Sequence, residues 1–457
     1  MNDLTKVIND PFLESGERLD ALNKWYVQNS GGKNGGDPKK NISRSGEINN
    51  HIHTIYSFSP YTPAMAALMA WEAGLEAAGS VDHDSEAASQ EMIAACAVLG
   101  MGGCSGIELR VDFTRGPEGA FFAERKLNNP DSFGSAYITI QGIPSTALEK
   151  TASFLKPIRA ARFDRNQKMI EKTNEILLDA GLESIDFETG VIQKSQYRRG
   201  GEITERHLMA AAAERIVGRF GRGPELAGGL KKNFNIDPGP KLEKLLADQN
   251  NPHYLYDLLG ILKTGLLPRC FIQPNENECI DASLAVDFAL SINAVPAYSY
   301  LGDVEESPTG DKKAEKFEDD FLPELFEEIK RLGFLAAAYM PPRNTRPQIE
   351  RIQRFCAEGN LMEISGVDIN SSRQSFNCPE VLDPRCRHLL DTTWALIAHE
   401  RLASINSTWG LFSPRNPLHS LSLQKRIILY AKAGKTLDLH HPEASAHSLL
   451  EGLKRFA

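Results

Sequence analysis

Apolar residues recur at two different periods along this chain, and the places where the period changes mark its organisation. Phe12, Leu13, Leu19, Leu22 and Trp25 fall near helical spacing among charges, which predicts an amphipathic helix within the first 27 residues. Asn29 to Gly46, NSGGKNGGDPKKNISRSG, is polar and glycine-rich without any period, and reads as a flexible joint. From there to about Gly142 the short apolar runs INNHIHT, GSVDH, CSGIEL and AYITIQG alternate with helix-period segments. One of these, PAMAALMAWEAGLEAAG, opens on Pro63 and closes on glycine, the matched boundary signals of a helix, and SEAASQEMIAACAVLGMG is a second. Such alternation predicts successive βα units around a parallel sheet or barrel.

Between about 144 and 290 the pattern turns to long charged helical runs, among them LEKTASFLKPIRAARFDRNQKMIEKTNEILLDAG and ITERHLMAAAAERIVGRF, which predicts a helical insertion. Alternation then resumes, with INAVPAYSYLG, GFLAAAYMPP and LMEISGVDIN as strands around the helices FLPELFEEIKRLG and RPQIERIQRFCAEG. Past Asn377, LLDTTWALIAHERLAS and SLQKRIILYAKAG predict a helical tail. The expected organisation is an N-terminal helix and linker over 1–45, a first barrel part over 46–143, the insertion over 144–290, a second barrel part over 291–377 and a C-terminal helical extension over 378–457.

Composition narrows the function. Sixty acidic against 51 basic residues leave a net charge of -9, so no global basic field draws the protein to nucleic acid, and a short strand end is the one nucleic-acid partner left open. The seven cysteines are scattered and never form Cys-x-x-Cys, the usage of reduced cytosolic thiols. The N-terminus has no basic region followed by an apolar run, and no stretch approaches the roughly 18 apolar residues of a membrane span. A cytoplasmic protein without membrane contact is expected. GRFGRGPELAGG has glycines but no Gly-Lys-Ser/Thr and follows a helix, so it reads as a loop and not as a phosphate cradle.

Candidate chemistry gathers at the strand ends. His51 and His53 lie two apart on a strand, so their imidazoles project to one face, where both can bind one metal ion. Asp82-His83-Asp84 closes the second strand, Glu108 lies in the third, and Asp368-Ile-Asn370 closes the seventh. The carboxyl ends of parallel barrel strands open onto one face, so residues about 300 positions apart would meet there. A carboxylate inside such a strand is costly to bury unless paired or bound to metal. His399 reads as a packing residue, and Asp438-Leu-His440-His441 mimics an Asp-x-His ligand pattern that a terminal strand could bring to the site.

The order HIHT, SVDHDS, GIEL, AYITIQG, VPAYSYLG, LGFLAAAYMPP, EGNLMEISGVDIN resembles the PHP (polymerase and histidinol phosphatase) phosphoesterases over about residues 47 to 377. The resemblance implies an α/β fold, a PHP-like (β/α)7 barrel carrying metal ions that activate water against a phosphate ester. On it His51, His53, His83, Glu108 and Asp368 keep ligand types, while Tyr137, Tyr300 and Asn370 stand where the family has histidine, and Tyr56-Ser57-Phe58-Ser59 replaces an acidic position. The implied site holds one or two divalent ions (Mn, Zn, Fe or Mg) on His51, His53, Glu108 and Asp368, with His83 and Asn370 beside them. Tyr137 and Tyr300 are then candidate proton donors or phosphate contacts. Arg206 and His207 at a helix start, Arg343, and Arg373 with Gln374 are candidate phosphate binders, since guanidinium groups match phosphate oxygens in pairs.

Two functions compete. One is a metal-dependent phosphoesterase acting on a small phosphomonoester or a nucleotide. The other is a barrel that has given up catalysis and binds a phosphorylated ligand or a protein partner. The amphipathic N-terminal helix and the tail are open to covering the barrel or to a homo-oligomer contact.

Overall fold

Each of the seven apolar runs becomes a strand of one barrel in the computed structural model, which describes residues 3–30, 45–304 and 315–454. The strands are β1 (Ile48–Ile52), β2 (Ala77–His83), β3 (Gly102–Asp112), β4 (Ser135–Gln141), β6 (Val295–Ser299), β7 (Ala336–Tyr339) and β8 (Met362–Ser365); a two-residue β5 (Ile280–Asp281) pairs with the end of β3. Their order around the sheet is β1-β2-β3-β4-β6-β7-β8. The fold is a mixed α/β, nearly closed seven-strand barrel with many helices. Of the glycine-rich joint, 31–44 lies outside the described residues.

The ring closes where β1 meets the segment after β8. His53 N donates to Ile369 O at 2.9 Å and Ile369 N to His51 O at 3.0 Å. Just below, the Asn49 side chain replaces a missing backbone rung: its Nδ2 donates to Val367 O at 3.0 Å and its Oδ1 accepts from Val367 N at 2.9 Å. Gly366 permits this approach, because a Cβ there would lie 2.5 Å from the His51 Cβ.

One strand departs from the uniform parallel order. β4 runs antiparallel to both β3 and β6. The connection from β3 carries the breakers Gly116-Pro117 and Asn129-Pro130 and only a four-residue helix, Gly119–Phe122, where the connections between the parallel strands carry helices of ten residues or more. The reversal brings the beginning of AYITIQG to the rim where the other strands end. Tyr137 therefore pairs with Arg110, and Thr139 with Glu108.

The expected N-terminal helix forms as two, Asp3–Ile8 and Ser15–Ser30, broken around Pro11, which cannot donate to a helix interior. Arg18 reaches inward to hold the buried Glu91 through both Nε (2.9 Å) and Nη2 (2.5 Å), and Trp25 packs edge-on against Trp71 at 5.7 Å. At the opposite end the helix His388–Ile405, buried along most of its length, covers the floor of the barrel. Its Thr393 accepts from Asn50 at 2.7 Å, its Glu400 from the Ser105 amide at 2.8 Å, and its Arg401 donates to Gly103 O at 2.9 Å. His399 lies buried in the same helix and accepts from Leu411 N at 2.9 Å.

Residues 148–270 are mostly helical, with the 32-residue Leu148–Asp179 and the helices Glu205–Phe220 and Tyr254–Gly265 building a second apolar core. A buried ionic network fastens them to the barrel. Glu278 accepts from Arg110 Nη1 (3.1 Å), Arg162 Nε (3.0 Å) and Arg165 Nε and Nη2 (2.6 and 2.8 Å). Arg162 also pairs with Asp84 at 2.8 Å, and Arg165 with Glu205 at 2.6 Å.

Two stability predictions follow from buried acids. Glu278→Ala leaves three guanidinium groups short of a partner, and urea unfolding should show a loss of about 3–5 kcal/mol; a loss below 1 kcal/mol would remove the network from this role. Glu318, fully buried, accepts from Leu301 N at 2.7 Å, yet burial pushes its carboxyl from 4.5 up to about 7. The folded state thus holds a proton that the unfolded chain releases, so this contribution is complete below pH 4.5 and is lost as pH rises through 7. Glu318→Gln should flatten the stability profile across that window by on the order of 3 kcal/mol relative to wild type.

Candidate metal centre

A bulge in β1 aims the first donors. The register with β2 shifts between Asn49 and Ile52, and Asn50, His51 and His53 all line one cavity in the barrel mouth. Glu108 enters from β3, directly beside His83 of β2. Asp368 enters from the segment that closes the ring. The cavity measures about 350 Å³.

His51 Nε2 lies 3.5 Å from Glu108 Oε1, and His53 Nε2 lies 3.7 Å from Glu108 Oε2 and 3.3 Å from Asp368 Oδ1. Two atoms bound to one ion at about 2.1 Å and the tetrahedral angle stand roughly 3.4 Å apart. His51, His53 and Glu108 each offer a ligand atom within 4.8 Å of the others, so the donor set fits one divalent cation, with Asp368 at its edge. His83 approaches Glu108 at 3.0 Å through Nδ1, but off hydrogen-bond geometry, so that nitrogen is buried without a hydrogen-bond partner.

The local field suits a cation. Burial lowers the His53 pKa, but the hydrogen bond and charge of Asp368, then Glu108, reverse this and carry it to about 9. Burial also opposes ionisation of Glu108, and the charges of His83, His51 and His53 outweigh it, bringing the carboxyl to about 2. Asp368 is held well below the carboxylate range, its burial outweighed by His53. His83 is pushed down to about 3 by burial, leaving a neutral imidazole.

Behind the donors lies a relay that the motifs do not single out. The buried Asp82 carboxylate accepts from Thr54 N (2.7 Å), Thr54 Oγ1 (2.6 Å) and Ser57 Oγ (2.5 Å). With its proton directed to Asp82, Ser57 turns a lone pair to His53 Nδ1 at 3.2 Å. That arrangement assigns a proton to Nδ1 and leaves Nε2 facing Glu108 and Asp368, the orientation a metal-bound histidine requires. The next residue, Phe58, adopts φ +74, a strained conformation for a bulky side chain, and packs edge-on against His207 at 4.8 Å. In sequence, Asp82 stands only as part of a strand-closing triplet, and Ser57 marks the loss of an acidic position.

The remaining sequence candidates divide. Tyr137 lines the cavity and accepts from Arg110 Nη2 at 2.6 Å. Asn370 also lines it and donates to Asp368 Oδ1 at 2.7 Å, so its amide orients that carboxylate. Arg206 lines it and donates to Asn370 O at 2.8 Å. Tyr300 also lines it, but its hydroxyl donates to Asp319 at 2.5 Å. Three residues are not among those lining the cavity. His207 Nδ1 accepts from Thr204 N at 3.0 Å and caps its own helix. Arg343 donates to Leu301 O at 3.2 Å, and Arg373 grips Asp257 with Nε and Nη2 at 2.5 and 2.7 Å. Asp438 accepts from the His440 and His441 amides in an exposed turn before the Pro442–Lys454 helix, so no terminal strand brings those imidazoles to the barrel.

No protein-family model matches the chain, and no curated protein matches it. Solved structures similar to it include a provisionally assigned metal-dependent phosphoesterase from Bifidobacterium adolescentis, with 16% identity, a TM-score of 0.46, and coverage of 74% of this chain and 96% of that one. Another is an amidohydrolase from Chromobacterium violaceum with bound sulfate and no metal, with 15% identity, a TM-score of 0.47, and coverage of 76% and 96%. Similarity at this level leaves reaction and substrate to be argued from the residues, and the PHP resemblance rests on the motifs. Among the described residues no helix is long and apolar enough to cross a membrane.

If Ser57 and Asp82 orient His53, then Ser57→Ala and Asp82→Asn should weaken divalent-metal affinity 10- to 100-fold in competition with a chelating dye, while Ser57→Thr stays near wild type. Unchanged affinity in both variants would refute the relay.

Proposed function

We propose that the chain is a metal-dependent hydrolase and that its substrate is a small phosphomonoester or a nucleotide. The observation that carries this reading is the convergence of His51, His53 and Glu108, within reach of one ion, on the wall of a cavity of about 350 Å³. A divalent ion held there would lower the pKa of a water and draw charge from a phosphoryl oxygen. His51 and His53 would hold it, Glu108 would balance its charge, and Asn370 keeps Asp368 turned toward His53. Arg206 and Lys263 place positive charge on the cavity wall, and the volume accommodates a phosphate with a modest organic group. The reading extends to a soluble substrate and a cytoplasmic protein.

The non-catalytic alternative keeps one specific support. The Tyr300 hydroxyl is tied to Asp319 and the Asn370 amide to Asp368, so neither position adds an imidazole for a further ion. Metal analysis of the purified protein, followed by phosphatase assays with Mn²⁺, Zn²⁺, Fe²⁺ and Mg²⁺, separates the two. The hydrolase should carry about one ion per chain, and the His51→Ala/His53→Ala double variant should lose both the ion and at least about 1,000-fold in turnover. A metal-free wild type indistinguishable from the double variant in every assay would leave the binding alternative standing.

A further inference from the structure

Tyr137 was among the phosphate contacts expected from sequence, and the structure adds a group behind it that the motifs do not show. Arg110 follows Glu108 by two residues on β3, so both side chains face the barrel interior, and both line the cavity. Arg110 is 3% exposed, with Nη1 on Glu278, Nη2 on the Tyr137 hydroxyl at 2.6 Å and Glu205 at 3.5 Å, and Nε buried without a partner. Tyr137 is its cross-strand neighbour through the reversal of β4, and the phenol ring stands 5.4 Å from the His83 ring.

This arrangement decides what the hydroxyl can do. An arginine only donates, so the Tyr137 oxygen is the acceptor, and its own proton is directed elsewhere. Among the described residues the hydroxyl makes no hydrogen bond but the one from Arg110, and the tyrosine is half-buried on a cavity wall that Glu205 shares. A phenol keeps its proton at neutral pH. The guanidinium draws density from the oxygen and strengthens it as a donor.

We propose that Tyr137, aimed by Arg110, donates a hydrogen bond to a phosphoryl oxygen of the substrate, with Arg110 acting as a positioning residue behind it. The assignment rests on the phosphoesterase reading but adds a residue pair to it. The pair supplies a fixed donor at a strand position that holds no metal ligand in this chain, and it couples substrate binding to the network that fastens the helical insertion.

The test measures calorimetric binding of inorganic phosphate to metal-loaded wild type, Tyr137→Phe, Arg110→Lys and the double variant, with metal content and thermal midpoint recorded for each. Loss of one hydrogen bond to a charged oxygen predicts roughly ten- to hundredfold weaker phosphate binding in Tyr137→Phe at unchanged metal content. Arg110→Lys should weaken binding several-fold when Tyr137 is present and add nothing in the Tyr137→Phe background, a dependence that a purely structural role does not produce. If Arg110→Lys does not fold, Tyr137→Phe alone decides. Phosphate affinity unchanged in Tyr137→Phe, or absent in wild type, overturns the assignment. Weakened phosphate binding in Tyr137→Phe beside a wild type that hydrolyses no phosphomonoester would keep the donor and overturn the phosphoesterase reading instead.

Discussion

The Glu278 carboxylate, receiving Arg110, Arg162 and Arg165 together, is the contact on which the geometry of the cavity depends. It joins a barrel strand to the long insertion helix. Through Arg162 it reaches Asp84 at the end of β2, and through Arg165 it reaches Glu205 at the start of a second insertion helix. Buried charges of this kind contribute little net stability, because desolvation consumes most of their attraction. Their effect is directional: each guanidinium must lie in plane with its carboxylate partners, so the helices that roof the cavity have one allowed position.

The ligand cluster depends on a second constraint, the closing seam of the barrel. Asn49 bonds both backbone groups of Val367, and Gly366 lets the two segments touch, which brings Asp368 beside His53. The bulge in β1 turns both histidines inward at the same place. Seam and network meet at the rim, where His53, His83, Tyr137 and Arg110 form a continuous line of ring and guanidinium contacts. A change on either side would therefore be felt in the donor geometry.

Local sequence was enough for the barrel strands, the helical runs after them and the placing of His51, His53, Glu108 and Asp368 at strand ends, because strand period, boundary residues and the burial cost of a carboxylate all act over a few residues. Asp82 was visible only as one letter of a triplet. Its role needed the loop after β1 to fold back so that Thr54 and Ser57 donate to it. His207, Arg343 and Arg373 looked equally suited to a phosphate, since exposed and engaged arginines or histidines have the same letters.

What the sequence by itself determined is the inventory: seven strands, a helical insertion, and imidazole and carboxylate groups at strand ends. The direction of β4 was decided by tertiary structure, because a connection of that length can return either way and only the packed sheet selects one, and that reversal set Tyr137 against Arg110. The partners of Arg110 were likewise out of sequence reach. Glu278 lies 168 positions away, and a charge so distant becomes a neighbour only when the long insertion helix has packed and shut out the water that would otherwise solvate both.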